Sequence, residues 1–133
     1  MTEQLPAVAV AIVVKDGRVL MVRRRIAEGE LSWQFPAGEV EARESPEAAA
    51  VRETAEETGL HVAAAKVLGE RVHPQNGRRM FYTACEVVGG AATVVDSDEL
   101  DRVVWASRAE LAEYVPFPMF PPVRQHLDGL LTG

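Results

Sequence analysis

Apolar positions in this chain fall mostly into short blocks, and one stretch in the middle changes to helical spacing. Residues 6–14 are a run of apolar, largely β-branched side chains that predicts a buried strand, and residues 17–24 predict its partner. The Asp16-Gly17 pair between them is a hairpin signal. Residues 33–38 predict one short strand in which Trp33 and Phe35 alternate with Gln34. A helix follows: Ser45 is a good N-cap, Pro46 suits the first helical position, and Gly59 is placed to close the helix in a left-handed conformation. Its capping box is incomplete, because Ala48 stands where a Glu would reach back. At about 100° per residue, Glu53, Glu56 and Glu57 share one face while Ala48, Val51, Ala55 and Thr58 share the opposite one, so one side is acidic and the other is expected to pack.

Beyond Gly59, residues 60–72 carry a weaker strand pattern, and Glu70 and Arg71 near its end are within reach of a substrate, with nothing to rank one above the other. Residues 73–79 form a loop with an Asn76-Gly77 turn, and residues 80–88 the returning strand. After a Gly89-Gly90 turn, residues 93–95 predict a short edge strand, residues 96–99 an acidic loop and residues 100–105 a further strand. Ser107 and Glu110 make a full capping box for a short helix through Glu113. An ordered loop over residues 114–122 leads to a last helix, residues 123–131, started by Pro121-Pro122. This order predicts an α/β sandwich, a mixed β-sheet between helices, in one domain over residues 1–133.

Composition narrows the class. With 133 residues the chain can bury a real core, and 47% hydrophobic with 26% charged residues is ordinary for a soluble domain. No apolar run approaches the roughly 20 residues that span a bilayer, and MTEQLPAVAVAIVV lacks the basic start and cleavage site of a signal peptide, so the chain is read as cytoplasmic. Cys85 is the only cysteine, which leaves no internal disulfide and no thiolate metal site; in a strand it reads as a buried, inert thiol. The net charge of −6 argues against nucleic acid as a partner and requires any phosphate anion to be neutralised locally. His61, His73 and His126 lack ligand spacing.

Local neutralisation points back to the helix. Carboxylates at i,i+4 repel by roughly 0.2–0.5 kcal/mol a pair, so Glu53, Glu56 and Glu57 suggest a cation among them. Hard oxygen ligands suit magnesium or manganese, and magnesium usually binds a few carboxylates together with substrate phosphates. Taken alone, Glu-x-x-Glu-Glu is also what a solvated helix face looks like. The complete spacing is far more specific: Gly38, Glu44, Arg52, Glu53, Thr54, Glu56, Glu57, Gly59 and Leu60 fill Gly-x5-Glu-x7-Arg-Glu-U-x-Glu-Glu-x-Gly-U, where U is a bulky aliphatic residue. This resembles the signature of the Nudix hydrolases. Seven fixed positions at roughly one in fifteen each coincide by chance in about one window in 10⁸. Thr54 departs from the pattern but is β-branched like Val, and Ala37 stands where many members have a second Gly.

The resemblance runs from Val8 to Leu127 and implies the Nudix fold. It also implies Mg²⁺-dependent hydrolysis of a pyrophosphate bond in a nucleoside diphosphate linked to another group. The substrate expected first is a nucleoside triphosphate, oxidised or otherwise modified ones included, cleaved to the monophosphate and pyrophosphate. ADP-ribose or another nucleotide sugar, a non-nucleotide phosphate, and a nucleotide-binding sensor with little turnover are the alternatives. By resemblance the metal is held by Glu53, Glu56, Glu57 and the carbonyl of Gly38, with Arg52 orienting the carboxylates and Glu44 as a further anchor. Glu99, six residues before Trp105, matches a position that in many relatives adds a metal ligand or general base; Glu56 and Glu57 are the other candidates for the base. Arg23 is favoured as a phosphate ligand among Arg23, Arg24 and Arg25. Arg79 and Phe81 of the returning hairpin are expected on the substrate, and Tyr82, Phe117 and Phe120 could also stack on a base. The implied partner is a small nucleotide, with no nucleic acid and no membrane, and homodimers are common among relatives.

Overall fold

A computed structural model describes residues 5–133. Its first two strands, β1 (Val8–Lys15) and β2 (Arg18–Arg25), form the expected hairpin, with Val14 opposite Val19 and Lys15 opposite Arg18. Asp16 and Gly17 both take positive φ, 52° and 76°, as the tight turn requires. The region predicted as one strand over 33–38 is two: β3 (Leu31–Gln34) pairs with β2, and β4 (Ala37–Glu39) pairs with β1. Phe35-Pro36 breaks the run, since proline has no N–H to continue a ladder, and the chain changes neighbour there.

Helix α1 (Pro46–Thr58) has the predicted ends: the Ser45 hydroxyl accepts from the N–H of Ala48, and Gly59 closes the helix at φ 75°. Then come β5 (His61–Val72), β6 (Arg79–Gly89), β7 (Leu100–Ala106), α2 (Arg108–Tyr114) and α3 (Pro121–Asp128). Both halves of the capping box at Ser107 and Glu110 are made. The last helix starts and ends earlier than the expected 123–131, with Pro121 already in its first turn. No strand forms at 93–95. Thr93 and Val95 instead donate their N–H groups to the carbonyls of Thr58 (2.9 Å) and Glu57 (3.0 Å), satisfying orphan acceptors at the end of α1.

The strands join in the order β3-β2-β1-β6-β5, with β4 also on β1 and β7 on β2. β1 runs parallel to β6 and antiparallel to β2 and β4, so the sheet is mixed. Alternation along β1 divides the core. Ala9, Ala11 and Val13 pack with Leu20, Val62, Cys85 and the Ala49-Ala50 pair of α1, while Val10 and Ile12 pack with Met21, Tyr82, Leu111, Val123 and Leu127 under α2 and α3. The expected sandwich is therefore present, with helices on both faces. Alanines on both surfaces bring α1 close to β1. The face of α1 that packs is not quite the expected one: Ala48 is exposed, and the buried residues are Ala49, Ala50, Thr54, Glu57 and Thr58. Thr54 serves in the aliphatic position because its hydroxyl donates back to the Ala50 carbonyl at 2.8 Å and leaves its methyl to pack. Cys85 is buried, as expected, and burial pushes its thiol up to about 11. Among the described residues no helix is long and apolar enough to cross a membrane.

Candidate active site

The acidic residues of α1 lie against the loop and strand that precede the helix. Arg52 is their hub. Its guanidinium donates from Nε and Nη2 to Glu44 at 2.8 and 2.9 Å, and from Nη1 to Glu53 at 2.7 Å and Glu56 at 3.1 Å, and Nη2 also reaches the carbonyl of Glu39 at 3.0 Å. Glu44 is held well below the usual carboxylate range, at about 2, first by Arg52 and then by the N–H of Glu41. Arg52 itself is raised by Glu44 and Glu53. The helix thus enters its first acidic turn with Glu53 already aimed.

Gly38 explains the other side of Glu53. A Cβ built on Gly38 would overlap all three atoms of the Glu53 carboxyl group, so β4 and this carboxylate share a space that only glycine leaves open. Burial raises the pKa of Glu53 despite its bond to Arg52. Glu57, one turn on, is 2% exposed. Its Oε1 accepts from the N–H of Ala37 at 3.2 Å and its Oε2 from Arg24 Nη2 at 2.6 Å, yet burial outweighs both and pushes the carboxyl up to about 7. Glu56 is exposed at the mouth of the group.

Arg24 is the residue that sequence reasoning passed over in favour of Arg23. Leu20 packs under α1, and Arg24, four positions later on the same strand, stays on that face. Beyond Glu57, its Nη1 donates to Glu99 at 3.0 Å, so one guanidinium links the two carboxylates. Arg23 points to the other face and is closed off there by a two-bond pair with Asp101, 2.8 and 2.7 Å, beside the Trp33 ring. Counting in twos from Leu20 separates the two arginines, but only the fold says which face carries the acids.

Like charges on α1 are relieved here by Arg52 and Arg24, and among the described residues no three acidic, His or Cys side chains converge as a ready metal cage. Carboxylate repulsion therefore does not by itself require a metal. The donor set nevertheless fits a hard divalent cation: the Glu53 carboxyl lies against Gly38 and that of Glu57 against the Ala37 N–H, both with pKa raised by burial, and Glu56, joined to Glu53 through Arg52, opens the group to solvent.

A cleft of about 600 Å³ opens on the opposite face of the sheet, walled by Trp33, Phe35, Tyr82, Phe117 and Phe120 and by Arg71. Gln34 and Ala37 belong to its lining and also touch the acidic group, Gln34 through Arg24 at 3.3 Å and Ala37 through Glu57. Cleft and carboxylates thus share a border. Two expected substrate residues lie elsewhere. Phe81 pairs with Ala9 on the α1 face, because β6 turns its neighbours Met80 and Tyr82 toward the cleft. Arg79 sits over the Phe81 ring at 5.0 Å and beside Glu70 at 3.4 Å, outside the cleft lining. A second cavity of about 170 Å³, between α2 and α3, is lined by Leu111, Val115, Leu127 and Leu131 among others and does not touch the acidic helix.

A family model described as NUDIX domain matches residues 3–127. The chain is 50% identical over 64 residues to an RNA pyrophosphohydrolase of Halorhodospira halophila, which covers 48% of this chain and only 34% of that protein's length. It is 29% identical over 124 residues to a CTP pyrophosphohydrolase of Escherichia coli, covering 92% of this chain and 91% of the relative. The crystal structure of a MutT NUDIX hydrolase from Burkholderia pseudomallei superposes with a TM-score of 0.68 at 28% identity, over 98% of this chain and all of that one.

Proposed function

The chain belongs to the Nudix hydrolase family, and on that premise we propose that it hydrolyses nucleoside triphosphates, canonical or modified, to the monophosphate and pyrophosphate. The observation that carries the reading is the shared border of the acidic group and the aromatic cleft: phosphates would lie over α1 while the nucleoside enters the cleft. The CTP pyrophosphohydrolase, similar over nearly its whole length, supports a nucleotide substrate.

Glu53, Glu56, Glu57 and the Gly38 carbonyl would hold Mg²⁺ or Mn²⁺. When bound, the ion supplies charge screening for the phosphates and makes the attacking water more acidic. Arg52 fixes the directions of Glu53 and Glu56 through charge-assisted bonds, with Glu44 anchoring its other edge. Water attacks one phosphorus, the bond to the bridging oxygen breaks, and a carboxylate takes the water's proton. Glu57 is the best placed for that task, because Arg24 and the Ala37 N–H hold it at the border with the cleft. Arg24 holds Glu57 toward Glu99 and keeps both from turning away. Arg23, bound to Asp101, shapes the cleft wall at Trp33 rather than meeting phosphate.

The test is a screen of nucleoside triphosphates, ADP-ribose and an isoprenoid diphosphate with Mg²⁺, with products identified by mass. Monophosphate plus pyrophosphate, lost with EDTA and in Glu57→Gln, is the expected result. Turnover of ADP-ribose alone would replace the triphosphate reading, and binding of nucleotides without any product would make the chain a sensor.

A further inference from the structure

The register of β5 on β6 shifts three times, and the last shift lies beside the cleft. Val67 pairs with Thr83 and Gly69 with Tyr82, so one extra residue is fitted into β5 between them. Side chains alternate along a strand, and a shift of one residue exchanges the faces of everything after it. An extra residue between Ala64 and Lys66 has the same effect earlier in the strand, so the two shifts cancel: Glu70 pairs with Phe81 on the α1 face that Val62 also occupies, and Arg71 with Met80 on the cleft face. Gly69 makes the bulge possible: its φ is 153°, which side-chain-bearing residues rarely adopt, and a Cβ there would press on the Phe120 ring at 3.3 Å. The pairing with β6 thus settles what the sequence could not rank, by placing Arg71 on the cleft side.

Once there, Arg71 is held flat. Its Nε donates to the Tyr82 hydroxyl at 3.1 Å, and its Cζ lies 5.8 Å from the Tyr82 ring centroid and 5.2 Å from that of Phe120. Among the described residues no carboxylate lies within ion-pair distance of Arg71, and no acceptor meets its Nη groups. Neighbouring Arg23, Arg24 and Arg78 are all paired, with Asp101, with Glu57 and Glu99, and with Glu39. A half-buried guanidinium fixed by two aromatic rings, with its planar fork open to a cleft, is a receptor for two acceptors side by side.

We propose that Arg71 is the base-selecting residue of the cleft, and that it favours bases presenting two adjacent acceptors on one edge: O2 and N3 of cytosine, or O6 and N7 of guanine. Adenine and uracil have no such pair, because a donor N–H stands in one of the two places. A matched two-bond contact of this kind discriminates by roughly 5- to 150-fold. This rests on the nucleotide reading above, and it predicts a preference within that class.

The experiment measures binding of CMP, GMP, UMP and AMP by calorimetry, and kcat/KM for the four triphosphates, in the wild type, Arg71→Lys and Arg71→Gln. Lysine keeps the charge but not the fork. The expected result is at least about 10-fold tighter binding of CMP or GMP than of UMP and AMP, with the ratio falling toward one in both variants. The preferred member of the pair identifies which of the two bases the cleft takes. Equal loss for all four nucleotides would make Arg71 a phosphate ligand and overturn the proposal, as would unchanged ratios in a folded variant. Selective monophosphate binding without turnover of any triphosphate would retain the role of Arg71 and remove the hydrolysis reading instead.

Discussion

Replacing Gly38 by alanine isolates the contact between β4 and the acidic helix. The new methyl would occupy the space of the Glu53 carboxyl group, which Arg52 holds from the other side at 2.7 Å. The backbone of Gly38 does not have positive φ, so the effect is steric rather than conformational. Forcing one carbon into a packed site of this kind costs about 1–3 kcal/mol. At a urea slope of about 2 kcal/mol/M, that is a fall of roughly 0.5–1.5 M in the unfolding midpoint. The cost should nearly vanish in Glu53→Ala, where the methyl has room, so the two substitutions should couple by about 1–3 kcal/mol in a double-mutant cycle. In the single variant a carboxylate displaced by about 1 Å should also lower kcat by about 10²-fold. Urea unfolding of the four proteins together with initial rates measures both. Additivity within about 0.5 kcal/mol would refute the claim that Gly38 exists to admit Glu53.

Other substitutions probe the rest of the site. Glu57→Gln should lower kcat by at least about 10²-fold while the metal-free protein melts no lower at pH 8, because an ionised carboxylate that burial raises to about 7 opposes folding once deprotonated; a large loss of stability would contradict this. Glu56→Gln should cost a similar factor in rate and leave stability nearly unchanged, since Glu56 is exposed. Glu44 titrates lower when folded than unfolded, so its contribution is present above its unfolded value and is lost as pH falls through about 4.5 toward 2. Arg52→Ala should therefore flatten the acid limb of a stability–pH curve, and an unchanged limb would remove the Arg52–Glu44 pair as its cause. Cys85, buried and raised to about 11, should react with a thiol reagent only on unfolding, which a stopped time course in native buffer checks.

Much of this architecture could be read locally. The ends of α1 follow from Ser45, Pro46 and Gly59, and the hairpin from Asp16-Gly17, because caps and tight turns are decided by neighbouring residues. Residues 93–95 look like a strand but satisfy their N–H groups on the end of α1, a partner more than thirty positions away. The same limit explains the site. Spacing assembled the acidic residues and Arg52 correctly, since helix periodicity brings them together. Which arginine of Arg23 and Arg24 meets Glu57, and whether Glu70 or Arg71 faces the cleft, depends on which sheet face α1 covers and on how β5 registers on β6. Neither leaves a mark that single-sequence reasoning reads. Phe81 has the aromatic character a base-stacking residue needs, and the phase of β6 places it on the α1 face instead of in the cleft.

In the proposed reaction the acidic helix and the cleft act together to cut a nucleoside triphosphate between its α- and β-phosphates. The most direct measurement is Mg²⁺-dependent turnover in ¹⁸O-labelled water, with both products resolved by mass. The expected products are nucleoside monophosphate and pyrophosphate in equal amounts, one of them carrying the label, and none of either with EDTA or with Glu57→Gln. Release of inorganic phosphate and the nucleoside diphosphate, or full activity in Glu57→Gln, would contradict it.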